Sequence, residues 1–434
     1  MKLFRKLRKR PDTTLVMTKR RVDVARLELG MYVCELDRPW SETTFLFQGF
    51  PLLRLSDLDA VRKRCDYVYV DDTRRVTLNQ IDRSAPVALK PMARRERVRE
   101  PLYAEIDQAR TAFQDSSLVL GELLADVQQG RPIDTSACHA AVRRNLESLL
   151  RNESAMLWLT RLKDQDVYTS LHCLSVSILA MGFGNHLQLP DAELELLGLG
   201  GLLHDVGKVR IDPDVLNKPG KLTAEEFAHV KLHPVFGYEA LKAQADIPAA
   251  AAQAAYGHHE RLDGKGYPQG VAERQIPFMT RIITIVDAFD AITSHRSYDK
   301  PRPVQVAFDI LREGSGTQFD PKLVRDFIQW LGVFPVGTLV ELHTGEVALV
   351  LEKHDRLQLR PRVVVLRDAD KQPCEPRYLD LARICVDAEG NPYRISNGLP
   401  DGSHGLFIAD SALQAILHPE ALFEFEVGFG VESE

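Results

Sequence analysis

Apolar positions change their spacing along the chain, and the changes mark out its elements. Between about 101 and 200 they recur every three to four residues, as in "LYAEIDQARTAFQDSSLVLGELLADV" and "ESLLRNESAMLWLTRL", which predicts packed helices. Gly130-Arg131-Pro132 and Leu189-Pro190 break that pattern. Upstream, Gly30-Met31-Tyr32-Val33 and Tyr67-Val68-Tyr69-Val70 are short runs of β type. Between them Leu52, Leu55, Leu58 and Val61 fall at every third position and predict a helix within 51–64. After about 335 the runs shorten to "GTLVELHTGEVALVLE" and "RPRVVVLRD", with Thr344-Gly345 suited to a hairpin turn and a helical segment near 410–417. No apolar run approaches the ~18 residues of a spanning helix.

These changes divide the 434 residues into a basic tail (1–21), a small α+β domain with its linker (22–100), a helical connector (101–150), a helical domain (151–335) and a β-rich extension (336–434). The fold class expected is mainly α, flanked by small strand-rich units. In the tail, Leu3, Phe4 and Leu7 share one helical face, but a solvated tail is the simpler reading. The linker carries the charge run "MARRERVRE". Trp40 and Met31 read as core.

Composition narrows the function classes. The chain is 44% hydrophobic and 27% charged, as ordinary globular proteins are. A net charge of -6 offers no basic field for nucleic acid. Cys34, Cys65, Cys138, Cys173, Cys374 and Cys385 form no C-x-x-C pair, so reduced thiols in a cytoplasmic protein are expected. Met1 to Arg10 are basic without a following apolar segment, unlike a signal peptide.

The candidate chemistry lies between 167 and 330. Seven of the thirteen histidines fall in 172–259. His204 and Asp205 sit side by side at the end of an apolar run, followed by Gly207, expected to open the helix end, and Lys208, placed for an anionic phosphate. His172, His233, His258, His259 and Asp287 complete a set of imidazoles and carboxylates. That set suits Fe, Mn or Zn rather than Mg or Ca, and it exceeds the needs of one metal. Asp205 is placed to bridge two. Gly264 and Gly266 allow close backbone approach after His258-His259-Glu260. His186, His229 and His418 read as packed or exposed, and His354-Asp355 as surface.

Five blocks in order carry a resemblance: His204-Asp205-x-Gly207-Lys208, "KPGKLTAEE", His233-Pro234-x-x-Gly237, "HHERLDGKGYP" and "RIITIVDAFDAITSHRSY". Together, over about 150–335, they resemble the HD-GYP family of HD metal-dependent phosphohydrolases, which hydrolyse cyclic di-GMP and are mostly helical. "RVDVARLELGMYVCELDRPW", "FLFQGFPL" and "DYVYVDD", within 15–140, resemble the uncharacterised domain that often precedes them.

The resemblance implies two divalent metals, Fe or Mn before Zn or Ni. His172, His204, Asp205 and Asp287 would hold one, and Asp205, His233, His258 and His259 the other. It implies attack on phosphorus by a hydroxide between them, giving pGpG, with onward cleavage to GMP left open. Lys208 and Arg296 would bind phosphate, and Gly266, Tyr267 and Pro268 would form a loop beside the substrate. By the same resemblance that loop would also serve as a docking surface for diguanylate cyclase domains, and a homodimer is a further partner expectation. The rival reading is a signalling adapter that binds the nucleotide or a cyclase with little turnover; another is a phosphodiesterase for a different cyclic dinucleotide. Two departures stand out. Asp299 follows Tyr298 where a base is expected, and Tyr168 stands one turn before His172 where some members have a glutamate for a third metal.

Overall fold

The structure, a computed structural model, describes residues 19–38, 50–52, 55–72, 99–161, 168–218, 220–294, 302–354, 357–383, 386–408 and 416. The chain forms two compact units, Met1–Met92 and Ala93–Glu434.

In the first unit, strands β1 (Lys19–Asp23), β2 (Tyr32–Leu36) and β3 (Phe50–Pro51), helix α1 (Leu55–Arg62) and strand β4 (Tyr67–Asp71) build one antiparallel sheet in the order β1-β4-β2-β3. Val22, Met31, Val33, Leu36, Leu52, Leu58, Val61, Val68 and Val70 form its core. The basic tail ends earlier than expected, because Lys19, Arg20 and Arg21 pair with Asp71, Val70 and Tyr69 in β1. β1 is an edge strand that buries only Val22, so no apolar alternation announces it. α1 is also shorter than 51–64. Leu52 is held in extended backbone by Gly30 N–H to Leu52 O (2.7 Å) and Leu52 N–H to Met31 O (2.8 Å), and helix begins only at Leu55. Trp40 lies outside the described residues, as does the tail before Lys19.

The second unit starts with α2 (Leu102–Gln128), α3 (Thr135–Arg151), α4 (Glu153–Leu159), α5 (Tyr168–His186) and α6 (Asp191–Leu203). Then follow α7 (Pro213–Leu216), α8 (Ala224–Val230), α9 (His233–Lys242), α10 (Ala249–Gly257), α11 (Phe278–Thr293), α12 (Val304–Glu313) and α13 (Pro321–Leu331). The mainly helical reading holds. The stretch 101–150, however, is no mere connector. α2 and α3 pack on each other and on α4, α5 and α6. Buried Glu105 ties them, accepting from Ser148 Oγ at 2.6 Å and from both Arg151 Nε and Nη2 at 2.7 and 2.8 Å. Helical spacing shows that α2 has an apolar face; it cannot show which helix covers it.

Close packing of α5 on α6 sets up the site. A Cβ on Gly201 would lie 2.7 Å from Ser177 Cα and 2.8 Å from its N, so only glycine permits this approach. Ser177 Oγ donates to Gly198 O across the same seam at 2.7 Å. The His172 and His204 rings are thereby 5.2 Å apart.

The chain ends in β5 (Leu339–Leu342), β6 (Val347–Glu352), β7 (Arg362–Arg367), β8 (Pro373–Asp380) and β9 (Ile395–Leu399), an antiparallel sheet in the order β8-β7-β6-β5-β9. Gly345 turns β5 into β6 at φ +86°. His354 is no idle surface residue: its Nε2 lies 2.9 Å from Asp380 Oδ1, which is buried. The segment 410–417 and Asp355 lie outside the described residues, apart from Ile416. Among the described residues no helix is long and apolar enough to cross a membrane.

Candidate metal centre

Three of the five candidate histidines stand just past a helix C-terminus, where the last carbonyls lack an intrahelical donor. His204 follows α6, His258 follows α10, and His233 comes three residues after the end of α8. Each turns its Nδ1 back onto the carbonyl three residues earlier: Gly201 O at 2.7 Å, Ala255 O at 2.9 Å and Val230 O at 2.7 Å. A carbonyl only accepts, so Nδ1 carries the proton and Nε2 presents a lone pair. His172, inside α5, does the same through Asp290 Oδ2 at 2.6 Å. Four imidazoles are thus held in one tautomer with Nε2 facing inward.

Asp205 lies among them, 1% exposed, and its two oxygens face different partners. Oδ2 lies 3.3 Å from His204 Nε2 and 3.7 Å from His172 Nε2. Oδ1 lies 3.3 Å from His233 Nε2 and 3.7 Å from His258 Nε2. Asp287 Oδ1 joins the first side, 3.1 Å from His172 Nε2 and 3.7 Å from His204 Nε2. His259 joins the second, its donor atom within 4.8 Å of those of His233 and His258. Lys208 Nζ is bonded to Asp205 Oδ2.

The charge states follow from this packing. Burial opposes ionisation of Asp205, but Lys208 and His204 outweigh it and hold the carboxyl well below its usual range. Asp287 is held down likewise, burial being outweighed by His172 and His204. Burial and then its imidazole neighbours keep His258 well below the ordinary histidine range, and burial brings His259 to about 3. These two are therefore neutral at physiological pH and offer lone pairs.

The donor set fits divalent metal ions. His204 Nε2 and Asp205 Oδ1 are buried without a hydrogen-bond partner. His233 Nε2 and His258 Nε2 face each other at 3.2 Å, two acceptors that repel unless a cation lies with them. Within each of two triads, His172-His204-Asp287 and His233-His258-His259, the donor atoms lie within 4.8 Å of one another, and Asp205 has an oxygen facing each.

Gly207 does not open the end of α6 as expected. α6 already stops at Leu203, and Gly207 lies in a 3₁₀ turn, Val206–Arg210. Its role is proximity: a Cβ there would be 2.0 Å from His233 O and 2.4 Å from Gly237 N. Gly264 takes φ +72°, while a Cβ on Gly266 would strike Arg261 N and Glu260 Cα at 2.5 Å. Glu260 points away from the imidazoles and collects the N–H groups of Gln269, Gly270 and Val271 at 2.7, 3.2 and 3.1 Å, which pins the loop bearing Pro268. Tyr267 lays its ring 4.6 Å from that of His259. Arg296 and Asp299 lie outside the described residues, as does the side chain of Tyr168.

Sequence reasoning missed Asp290. It is the residue that orients His172, and its spacing from Asp287, three along the same helix, places both on one face. Asp290→Ala should loosen metal binding about 10–100-fold, the usual consequence of losing an outer partner of a ligand. Asp290→Asn, which can still accept from Nδ1–H, should recover part of it. Metal titration of both variants checks this, and equal affinity in Asp290→Ala would remove the positioning role. Cys173 was missed too; it is buried within reach of His204 and Asp205.

Residues 145–323 match a family described as an HD domain. Residues 19–138 match a domain of unknown function, DUF3391, and 339–385 a KOW domain associated with the HD domain. A cyclic di-GMP phosphodiesterase of Pseudomonas aeruginosa is 36% identical over 370 residues, which cover 84% of this chain and 89% of that protein. A cyclic di-GMP phosphodiesterase of Thermotoga maritima is 35% identical over 38% of this chain and 45% of its own length. A 3'3'-cGAMP-specific phosphodiesterase of Vibrio cholerae is 35% identical over 39% of this chain and 36% of its own length. A match that spans nearly all of one relative, joined to the HD-domain match over the imidazole cluster, leads to one conclusion: the chain belongs to the HD-GYP family of HD-domain phosphodiesterases.

Proposed function

We infer that this chain hydrolyses cyclic di-GMP at a two-metal centre, opening one phosphodiester to give pGpG, with GMP as the further product. The observation that carries the reading is the division of Asp205, whose oxygens face two separate imidazole groups. His172, His204, Asp205 and Asp287 would hold one metal, and Asp205, His233, His258 and His259 the other. Iron or manganese suits the mix of neutral imidazole and carboxylate, with Zn and Ni as the lesser fits. Such cations supply Lewis acidity: they lower the pKa of water and draw charge from phosphorus–oxygen bonds.

The chain's own residues do the rest. Lys208 stands beside Asp205 as a fixed positive charge that steadies a phosphate oxygen as negative charge grows on it. Arg296 clamps the phosphate through its planar fork. Gly266, Tyr267 and Pro268 wall the substrate side, with Tyr267 packed on His259. Hydrolysis forms one phosphorus–oxygen bond from water and breaks the bond to the ribose 3′ oxygen, which leaves with a proton. An adapter has no use for so complete a ligand set, so the enzyme reading is preferred over it.

The test is incubation of anaerobically purified, metal-loaded protein with cyclic di-GMP and with 3'3'-cGAMP, and chromatography of the products. Turnover of 3'3'-cGAMP alone would replace the substrate, and turnover of neither would replace the reading.

Metal content gives a separate check. α5 begins at Tyr168, one turn before His172, and a phenol with pKa near ~10 brings no negative charge at neutral pH. About two metals per chain are expected, and Tyr168→Glu should add capacity for a third. Elemental analysis finding three tightly held metals in the unmutated protein would contradict this.

A further inference from the structure

Helix α8 ends where the imidazole cluster begins. Its last turn carries Phe227, Lys231 caps it, and His233 opens α9 two residues later. Lys231 Nζ lies 4.6 Å from the centroid of the Phe227 ring and 5.5 Å from that of Tyr267. Tyr267 in turn lies 4.6 Å from the His259 ring, tilted by 30°. The path from the metal-side imidazoles to solvent therefore runs His259, Tyr267, Lys231, Phe227. Phe227 is 47% exposed and the neighbouring Leu232 42% exposed. No ion-pair partner of Lys231 occurs among the described residues.

The start of α8 is tied down by its own side chains. Thr223 and Glu226 close a capping box at the start of α8, and Lys218 Nζ reaches Glu226 Oε1 at 2.7 Å. Glu226 is thus engaged elsewhere, and Lys231 keeps its ammonium for something else. An ammonium without a carboxylate, framed by an exposed aromatic ring and a half-buried one, beside a centre for phosphodiester cleavage, suits a planar base bearing acceptors.

We propose that Lys231, framed by Phe227 and Tyr267, reads the purine next to the scissile phosphate and selects guanine over adenine. The inference rests on the cyclic dinucleotide reading above. An aromatic face stacks with any base, so the exposed Phe227 ring holds either purine, while Tyr267, already packed on His259, backs the ammonium. The lysine chooses. Guanine presents two acceptors on one edge, O6 and N7, to which an ammonium donates; adenine replaces O6 by an amino donor, which opposes it. Lysine has three donors and no acceptor, so it has nothing to offer that amino group.

The experiment compares kcat/KM for cyclic di-GMP and cyclic di-AMP in the full-length, metal-loaded protein and in Lys231→Met and Lys231→Arg. Methionine keeps an unbranched apolar stem against the rings and removes the donors. The guanine-to-adenine ratio should fall on the order of tenfold in Lys231→Met, mostly through KM. Lys231→Arg should keep it, because guanidinium also donates to O6 and N7. Elemental analysis should find equal metal in all three. An unchanged ratio, an equal loss for both substrates, a loss of metal, or an unmutated protein with no guanine preference would each overturn the proposal. Those outcomes leave hydrolysis of cyclic di-GMP in place, whereas an unmutated protein that cleaves neither nucleotide overturns the phosphodiesterase reading itself.

Discussion

Asp205→Ala is expected to abolish phosphodiester hydrolysis while the helices remain. Asp205 serves both imidazole groups through separate oxygens, so its loss removes a donor from each. It also leaves Lys208 without its carboxylate. The uncompensated charge adds repulsion to any cation entering the pocket, so metal content should fall with activity. A single electrostatic contact to a reacting group is worth roughly 10²–10³ in rate, and a group shared by two cations should be worth at least about 10³. A second readout separates loss of metal from loss of fold. A ligand that binds only the folded state raises stability by about 2.7 kcal/mol at a hundred times its Kd. The unmutated protein should therefore lose thermal stability when a chelator is added, and Asp205→Ala should show little further loss. Circular dichroism should report the same helix content for both. Full turnover in a folded, metal-loaded Asp205→Ala protein would sink the two-metal reading.

Apart from His172, a lone histidine inside a helix that only the resemblance assigned to a metal, the imidazole and carboxylate positions were legible because each lies in a short local signature whose chemistry is hard to explain as packing. What the signatures could not convey is contact between distant elements. Asp290 is 118 residues from His172, and nothing in a one-dimensional pattern joins them. The same holds for Glu105 and Arg151, which convert an expected connector into part of the helical core. β1 stayed hidden for another reason: it buries one side chain in five, so its membership in a sheet is a matter of backbone pairing alone. His354 was read as surface because its acceptor, Asp380, is supplied by another strand. Phe227 and Lys231 fall between the second and third blocks, and their relation to Tyr267 exists only after the loop folds over. The glycines lay between these cases. Gly207 was singled out beside His204-Asp205, but its purpose was assigned to helix termination when it is a matter of space.

That distinction yields the second large expected effect. Gly207→Ala should unfold the neighbourhood of the site, whereas Gly237→Ala should be mild. The two glycines face each other, the 3₁₀ turn against the first turns of α9. A Cβ on Gly207 would sit 2.0 Å from His233 O, 2.4 Å from Gly237 N and 3.0 Å from Gly237 Cα, all backbone atoms that cannot rotate aside. On Gly237 the nearest atoms would be Gly207 N at 3.3 Å and Val206 Cγ1 at 3.4 Å, a gap that a few tenths of an ångström would relieve. Neither glycine has a positive φ, so backbone strain does not enter and the comparison isolates crowding. Overpacking a close contact typically costs 1–3 kcal/mol and can exceed that, and a clash with fixed backbone belongs at about 3 or beyond. For domains of 150–250 residues each kcal/mol lowers Tm by about 2–4 °C, and the longer unit Ala93–Glu434 belongs at the low end, so Gly207→Ala should lose roughly 6 °C and Gly237→Ala no more than about 2 °C. Displacement of the His233 carbonyl also moves α9 away from Asp205, so Gly207→Ala should lose metal and turnover even below its Tm. Differential scanning calorimetry with elemental analysis measures both. A Gly207→Ala protein as stable and metal-replete as the parent would mean that the turn after Asp205 does not press against α9.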